Sequence, residues 1–233
     1  VLAPSIADIA GPRIHMRPVA GLPLVHVEPP QSARATRMLK RVFDLAGASA
    51  LLLLLSPVLL AAALAVRLHD RGPALFRQER VGLDGHTFEC LKYRSMVVDA
   101  DRVLAELQEQ NEADGVLFKM ADDPRITRVG KVMRKLSLDE LPQLWNVLVG
   151  EMSLVGPRPP LPEEVAAYEQ DMYRRLMVKP GITGLWQVGG RSDLSWASTV
   201  ALDRHYVENR GGALDAKIFA GTLRAVIGGK GAY

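Results

Sequence analysis

LAGASALLLLLSPVLLAAALAV, residues 45 to 66, is a run of 22 residues without a charge, and its reading decides the fold. A helix of about 20 residues matches a bilayer hydrocarbon core of about 30 Å, so the run has the length of a membrane segment. It is apolar on every face, which a soluble domain of this size would struggle to cover. It lies too far into the chain for a signal peptide, and no small-residue cleavage site precedes a polar mature region. The competing soluble reading is a buried core helix.

The borders of the run sharpen the membrane reading. Arg34, Arg37, Lys40 and Arg41 precede it, and Arg67, Arg71, Arg77 and Arg80 follow it. Positive charge marks the cytoplasmic side of a membrane segment, and here both ends carry it. Ser56-Pro57 lies almost at the midpoint, where the missing proline donor and the clash of its ring predict a sharp bend. The two halves would each extend about 15 to 18 Å, about half of the bilayer core. A helix that enters, breaks at Ser56-Pro57 and returns to the same face satisfies both observations. A kinked helix that spans the bilayer is the alternative.

Outside this run the composition is that of an ordinary folded protein. Apolar residues make up 48% and charged residues 24% of the 233, which excludes disorder and low complexity. The single cysteine, Cys90, excludes an internal disulfide framework and reads as a small buried hydrophobe. The net charge of +3 is unevenly placed: residues 1 to 80 carry a net +5 and the remainder a net −2. Aromatics are only 6% and no nucleic-acid-binding motif occurs, which argues against a nucleic-acid partner. The five histidines show no metal-ligand spacing.

Residues 1 to 33 are rich in Pro and Gly, with a short strand expected at Leu24 to Val27. Residues 73 to 80 and 87 to 96 read as two extended segments joined around Asp84-Gly85, a good hairpin turn. Residues 99 to 112 read as a charged amphipathic helix. Val129, Val132, Met133 and Leu136 follow helical spacing. PGITG, residues 180 to 184, reads either as a nucleotide or sugar contact or as a rigid turn that packs Trp186 into the core. Asp203, His205 and Tyr206 fall on a helix whose default reading is a solvated face. Lys217 to Ile227 is amphipathic and would dock on the domain or lie on the membrane.

The chemistry concentrates in SLDELPQLWNVL, residues 137 to 148. Ser137 with Glu140 fits a capping box, and Pro142 is tolerated in a first helical turn. The functional reading uses the same geometry, with Asp139 and Glu140 at a helix N-terminus that favours anionic groups and phosphate. An ionised Asp can attack phosphorus, and a neighbouring Glu can hold Mg²⁺ together with substrate phosphate oxygens. Arg134 lies about one helical turn upstream. Lys92 and Arg94 alternate with Tyr93 and project to one face, as cations that neutralise phosphates or as ordinary surface charge.

KRVFDLAGASALLLLLSPVLL, GPALFRQERVGLDGHTFECLKYRSM, DDPRITRVGKVMRKLSLDELPQLWNVLVGEMSLVGPRP and KPGITGLWQVGGRSDLSW closely resemble the bacterial sugar transferases. These are the monotopic polyprenyl-phosphate phosphoglycosyl transferases that open exopolysaccharide, O-antigen and glycoprotein assembly. The likeness covers roughly residues 37 to 226, in order. It implies transfer of a sugar 1-phosphate from a UDP-sugar to a polyprenyl phosphate, usually undecaprenyl phosphate, with release of UMP. It implies that Asp139 is the nucleophile of a phosphosugar–aspartyl intermediate and Glu140 the ligand of an Mg²⁺ cofactor. Arg134, Lys92 and Arg191 match basic residues associated with phosphate or carboxylate, Arg158 belongs to the GPRP motif, and Ser56-Pro57 matches the helix-breaking pair of a re-entrant helix. Arg94 joins this basic set as a candidate for phosphate or substrate binding.

The expected architecture is a mixed α/β (α+β), helix-rich monotopic membrane protein with one re-entrant membrane helix and a small β-hairpin. Its parts are a leader or linker over 1–36, the re-entrant helix and flanks over 37–72, and a cytosolic catalytic domain over 73–233. That domain would sit on the cytosolic face of the bacterial inner membrane. Expected partners are a UDP-sugar, polyprenyl phosphate and membrane lipid, with no nucleic acid and a homodimer left open. Residues 97 to 121 lengthen the connection found in compact members, and with the leader they resemble the C-terminal catalytic part of larger ones. A non-catalytic membrane-surface binding or scaffold protein would also explain the apolar run, but it gives no reason for Asp139-Glu140 beside Arg134.

Overall fold

The computed structural model describes residues 14–19, 22–27, 34–100, 102–103, 120, 123–190 and 194–228. The chain divides into two compact units, Val1–Lys40 and Arg41–Tyr233. In the first, β1 (Ile14–Val19) pairs antiparallel with β2 (Leu22–Val27), with Ile14 opposite Val27. The sequence pointed only to a strand at Leu24 to Val27. Its partner was hidden because Pro18 lies opposite Pro23, and a proline inside a run argues against a strand.

The apolar run lies in α1 (Arg34–Asp70), a helix of 37 residues with Pro57 inside it. Where the sequence suggests two half-helices divided at Ser56-Pro57, the structure has one helical segment running through both residues. Pro57 has no N–H for the Leu53 carbonyl four residues earlier. The Ser56 hydroxyl donates to that carbonyl at 2.8 Å and replaces the missing helical bond. Most of the run is uncovered, with Leu53 78% and Leu54 75% exposed.

Two patches that include small residues mark where α1 packs on the rest of the second unit, to which its residues from Arg41 onward belong. Gly47 and Ala48 let the helix press against β5 (Ser153–Val155), and a Cβ on Gly47 would stand 2.6 Å from Leu154 Cδ1. Ala62 and Val66 pack with Tyr93 and Met133. Polar ties reinforce both contacts. Arg41 donates to the carbonyls of Val147 (2.6 Å) and Leu148 (2.7 Å). The buried Asp44 carboxylate accepts from Ser153 Oγ and the Leu154 amide, both at 3.1 Å. At the other end Asp70 pairs with Arg94, and the Tyr93 hydroxyl donates to the Leu59 carbonyl at 2.9 Å.

The hairpin expected at Asp84-Gly85 is present as β3 (Leu75–Val81) and β4 (Thr87–Tyr93), antiparallel with Leu75 opposite Tyr93. Asp84 and Gly85 take left-handed backbone at φ 56 and 83, which these residue types tolerate. Cys90 is fully buried on β4, and burial pushes its thiol pKa up. The helical spacing at 129 to 136 is realised in α2 (Arg128–Lys135), with Thr127 accepting from the Gly130 amide as its cap. Met133 is buried, while Val132 and Leu136 are exposed. Next come α3 (Gln143–Val149), α4 (Pro162–Ala166) and a 3₁₀ segment over Gln170–Met177. β6 (Gly181–Thr183) pairs parallel with β5 and is followed by α5 (Leu185–Gly189), α6 (Trp196–Asn209) and α7 (Gly212–Gly228).

Several sequence expectations are refined here. In PGITG the glycine at 181 serves close backbone approach, since a Cβ there would stand 2.0 Å from the Gly156 amide nitrogen. Asp203 and Tyr206 are buried, whereas the helix pattern suggested a solvated face. Asp203 pairs with Arg175 at 2.6 Å, and the Tyr206 hydroxyl donates to the Val155 carbonyl at 3.0 Å. The segment 217 to 227 docks on the domain through Ile218 in the core. Of the helix expected over 99 to 112, Arg102 and Val103 are helical and residues 104–112 lie outside the described residues.

Replacing Asp44 with Ala removes the acceptor of the buried Leu154 amide, which leaves a polar group unsatisfied at about 1–3 kcal/mol. The variant should therefore unfold at a lower temperature than the wild type in detergent, and an unchanged midpoint would contradict this account of the helix contact.

Candidate active site

Asp139 and Glu140 lie together in a single 3₁₀ turn, Leu138–Glu140, between α2 and α3. The turn is entered through Ser137, whose backbone is left-handed at φ 55, ψ 25. The capping box suggested by Ser137 and Glu140 does not form: the Ser137 side chain caps nothing, and Glu140 reaches across to β4. There Lys92 Nζ donates to Glu140 Oε1 at 3.0 Å.

The two adjacent carboxylates have opposite electrostatics. Burial and the charge of Glu140 push the Asp139 carboxyl up to about 6, although Lys92 and Arg134 pull it back. Burial also pushes Glu140 upward, but the charge and hydrogen bond of Lys92, with Arg158 and Arg80, outweigh it and hold Glu140 below the usual carboxylate range. The neighbours are thus poised differently, one near neutrality and one firmly ionised.

Arg134 reaches this region from the last turn of α2, where its Nε donates to Ser95 Oγ at 2.9 Å. Its placement depends on Gly130, because a Cβ at that position would stand 2.0 Å from the Ser95 carbonyl oxygen. Behind it, Asp123 and Arg125 form a buried fork, with Arg125 Nη2 donating to Asp123 Oδ2 at 2.6 Å. Burial lowers the Arg134 guanidinium pKa, while Asp139 and Asp123 act to raise it.

The remaining sequence candidates divide. Arg158 donates to Glu164 at 3.0 Å, and its charge still bears on Glu140. Arg94 is placed differently from the expectation: its guanidinium is buried against Asp70 at the end of α1. The alternation that put it beside Lys92 is continued by the backbone, but the Asp70 carboxylate captures the side chain. Arg191 lies outside the described residues.

Arg80 and Asn146 belong to the site's framework and were missed as such. Arg80 is buried, donates to the Pro159 carbonyl at 2.9 Å, and has its pKa lowered to about 10 by burial and by the charge of Arg158. The signal was available: Arg80 faces Phe88, and Phe76 faces Lys92, so Arg80 and Lys92 share one face of the hairpin. Asn146 left no comparable trace, because its partners on β4 are backbone groups.

Among the described residues no group of three or more His, Cys, Asp or Glu gathers to form an all-protein metal cage. Two adjacent carboxylates, one raised by its neighbour's charge, suit a hard cation that takes one or two protein oxygens and completes its shell with water and phosphate.

The sequence profile of the family described as "Bacterial sugar transferase" matches residues 35–229. A UDP-galactose-lipid carrier transferase of Erwinia amylovora is 47% identical over 203 residues, which cover 85% of this chain and 42% of that protein. Exopolysaccharide production protein ExoY of Sinorhizobium fredii is 44% identical, over 88% of this chain and 94% of its own length. An undecaprenyl-phosphate galactose phosphotransferase of Salmonella typhimurium is 43% identical, over 90% of this chain and 45% of its own. The chain therefore spans less than half the length of some curated relatives and nearly all of another.

Proposed function

The chain belongs to the bacterial sugar transferase family, and from that premise we propose that it moves a sugar 1-phosphate from a UDP-sugar to undecaprenyl phosphate, as a membrane step of exopolysaccharide-type glycan assembly. The observation that carries this reading is the Asp139-Glu140 pair set between Lys92, Arg134, Arg80 and Arg158.

In the reaction, an Asp139 carboxylate oxygen attacks the sugar-bearing phosphorus of the donor. The new Asp139 O–P bond forms as the bond to the bridging oxygen of the diphosphate breaks, and UMP leaves with that oxygen and its electron pair. A phosphate oxygen of the lipid acceptor then attacks the same phosphorus, which restores the Asp139 carboxylate and gives a polyprenyl diphosphate sugar. Phosphoryl transfer asks mainly for positioning and for neutralisation of charge on the phosphoryl oxygens. Lys92, Arg134 and Arg158 meet that demand. Glu140, kept ionised by Lys92, would hold Mg²⁺ with Asp139 beside it, and the ion would neutralise phosphate charge. One carboxylate serving donor and acceptor in turn implies ping-pong kinetics.

We assign residues 37–72 to a membrane segment that enters and leaves by the cytosolic face of the inner membrane, and 73–233 to the catalytic domain on that face. What supports this is the pair of ties at the two ends of the run. Asp44 is bonded to Ser153 and Leu154, and Asp70 to Arg94, all in one folded unit. A helix crossing the bilayer would set these two aspartates on opposite sides of a core of about 30 Å.

Asp139→Asn should abolish UMP release from UDP-sugars, and Glu140→Gln should lose the response of that release to Mg²⁺. In the wild type the acid limb of UMP release should fall near the Asp139 value of about 6, because the nucleophile must be ionised. Substantial release by the Asn variant would remove Asp139 from the role. Cysteines placed at Lys40 and Arg71 should both react with an impermeant thiol reagent from the cytosolic side; labelling from opposite sides would establish a spanning helix instead.

A further inference from the structure

α3 carries almost no regular structure of its own to hold it in place. It has seven residues, follows directly on the 3₁₀ turn of the carboxylate pair, and ends at Gly150. A helix this short is unstable alone, so its position comes from side-chain ties. Asn146 supplies the central one. Its Oδ1 accepts from the Leu91 amide at 3.0 Å, and its Nδ2 donates to the Glu89 carbonyl at 2.8 Å and to Glu151 Oε2 at 2.7 Å. Leu91 and Glu89 flank Cys90 on β4, and Leu91 directly precedes Lys92. The carboxamide thus binds the strand edge turned away from β3, as a further strand would, while its own helix leads back to Glu140. Asn146 is buried at 2% exposure, and it touches neither carboxylate.

We propose that Asn146 is a positioning residue for the reaction: by fixing the register of α3 on β4 it sets the spacing between Lys92 and the Asp139-Glu140 pair. This rests on the functional reading above. The register is what allows the 3.0 Å contact between a strand residue and a turn residue 48 positions apart. The far end of α3 is held by Arg41, which binds the Val147 and Leu148 carbonyls, so the helix is fixed at its middle and at its end. The charged groups bearing on the pair are Lys92 from β4, Arg80 from β3, Arg134 from α2 and Arg158 from the loop after β5. Of these, only Lys92 sits on the strand that Asn146 grips.

Asn146→Ala is the direct test, and Asn146→Gln accompanies it because the same carboxamide on an arm one methylene longer retains the polar groups and the fold. Two readouts are needed. In hydrogen exchange, the Leu91 amide should lose protection, while the Cys90 and Lys92 amides, which alternation turns toward β3, should keep theirs. In UMP release with saturating Mg²⁺, kcat should fall roughly 10- to 100-fold. KM for the UDP-sugar should change little, since the loss falls on the positioning of the reacting groups and not on donor binding. A folded Ala or Gln variant with an exposed Leu91 amide and a kcat equal to that of the wild type would overturn the proposal, leaving Asn146 a packing residue. A wild type that releases no UMP from any UDP-sugar would instead strike the functional reading on which the proposal rests.

Discussion

Asp44 and Asp70 stand on either side of the chargeless run, and each is held by the same folded unit. Everything else is arranged around that constraint. A long uncovered apolar helix must leave water, yet its two ends cannot separate from the domain without exposing buried charge. The Asp44 carboxylate would lose a hydroxyl and an amide donor, and Arg94, buried beside Gly72, would lose its counterion. The small residues Gly47, Ala48 and Ala62 let the helix approach the domain closely on both sides of Pro57.

The second constraint is electrostatic. Two neighbouring carboxylates at a partly buried turn repel, and without cations both would rise in pKa. The cations arrive from three directions, so no single segment determines the balance. Lys92 comes from the hairpin, Arg134 from a helix pressed through Gly130 against Ser95, just past β4, and Arg158 from a loop that Arg80 holds by its Pro159 carbonyl. Since Lys92 bonds Glu140 and not Asp139, the asymmetry leaves Asp139 as the weaker acid. The division leaves one carboxylate near neutrality and holds the other ionised.

Much of this was legible in the sequence, and the reason is periodicity and turn chemistry. The apolar run, the Asp84-Gly85 hairpin and the amphipathic spacing of α2 are local patterns, and each is found where it was read. The Asp139-Glu140 pair stood out as adjacent carboxylates in a helix-starting context. Arg94 misled because alternation along a strand states which face a side chain leaves from, not which carboxylate it meets, and Asp70 is distant in sequence. Asp203 and Tyr206 misled for the same reason, since Arg175 and the Val155 carbonyl come from elsewhere in the chain. The partner strand of the first hairpin was concealed by facing prolines.

A second class of interaction left no trace in the sequence: a polar side chain bound to backbone atoms of a remote segment. Arg41 holds the end of α3, Asn146 holds its middle to β4, and Arg80 holds the loop of Arg158. Backbone groups have no sequence signature, so such ties leave only one member of each pair visible. They occur here because the carboxylate pair sits on a three-residue turn and a seven-residue helix, elements too short to fix themselves. A longer helix would carry its own register but would also bury the turn under side chains. Short elements leave the turn of the carboxylate pair partly exposed, and remote polar ties supply the rigidity that length would otherwise give.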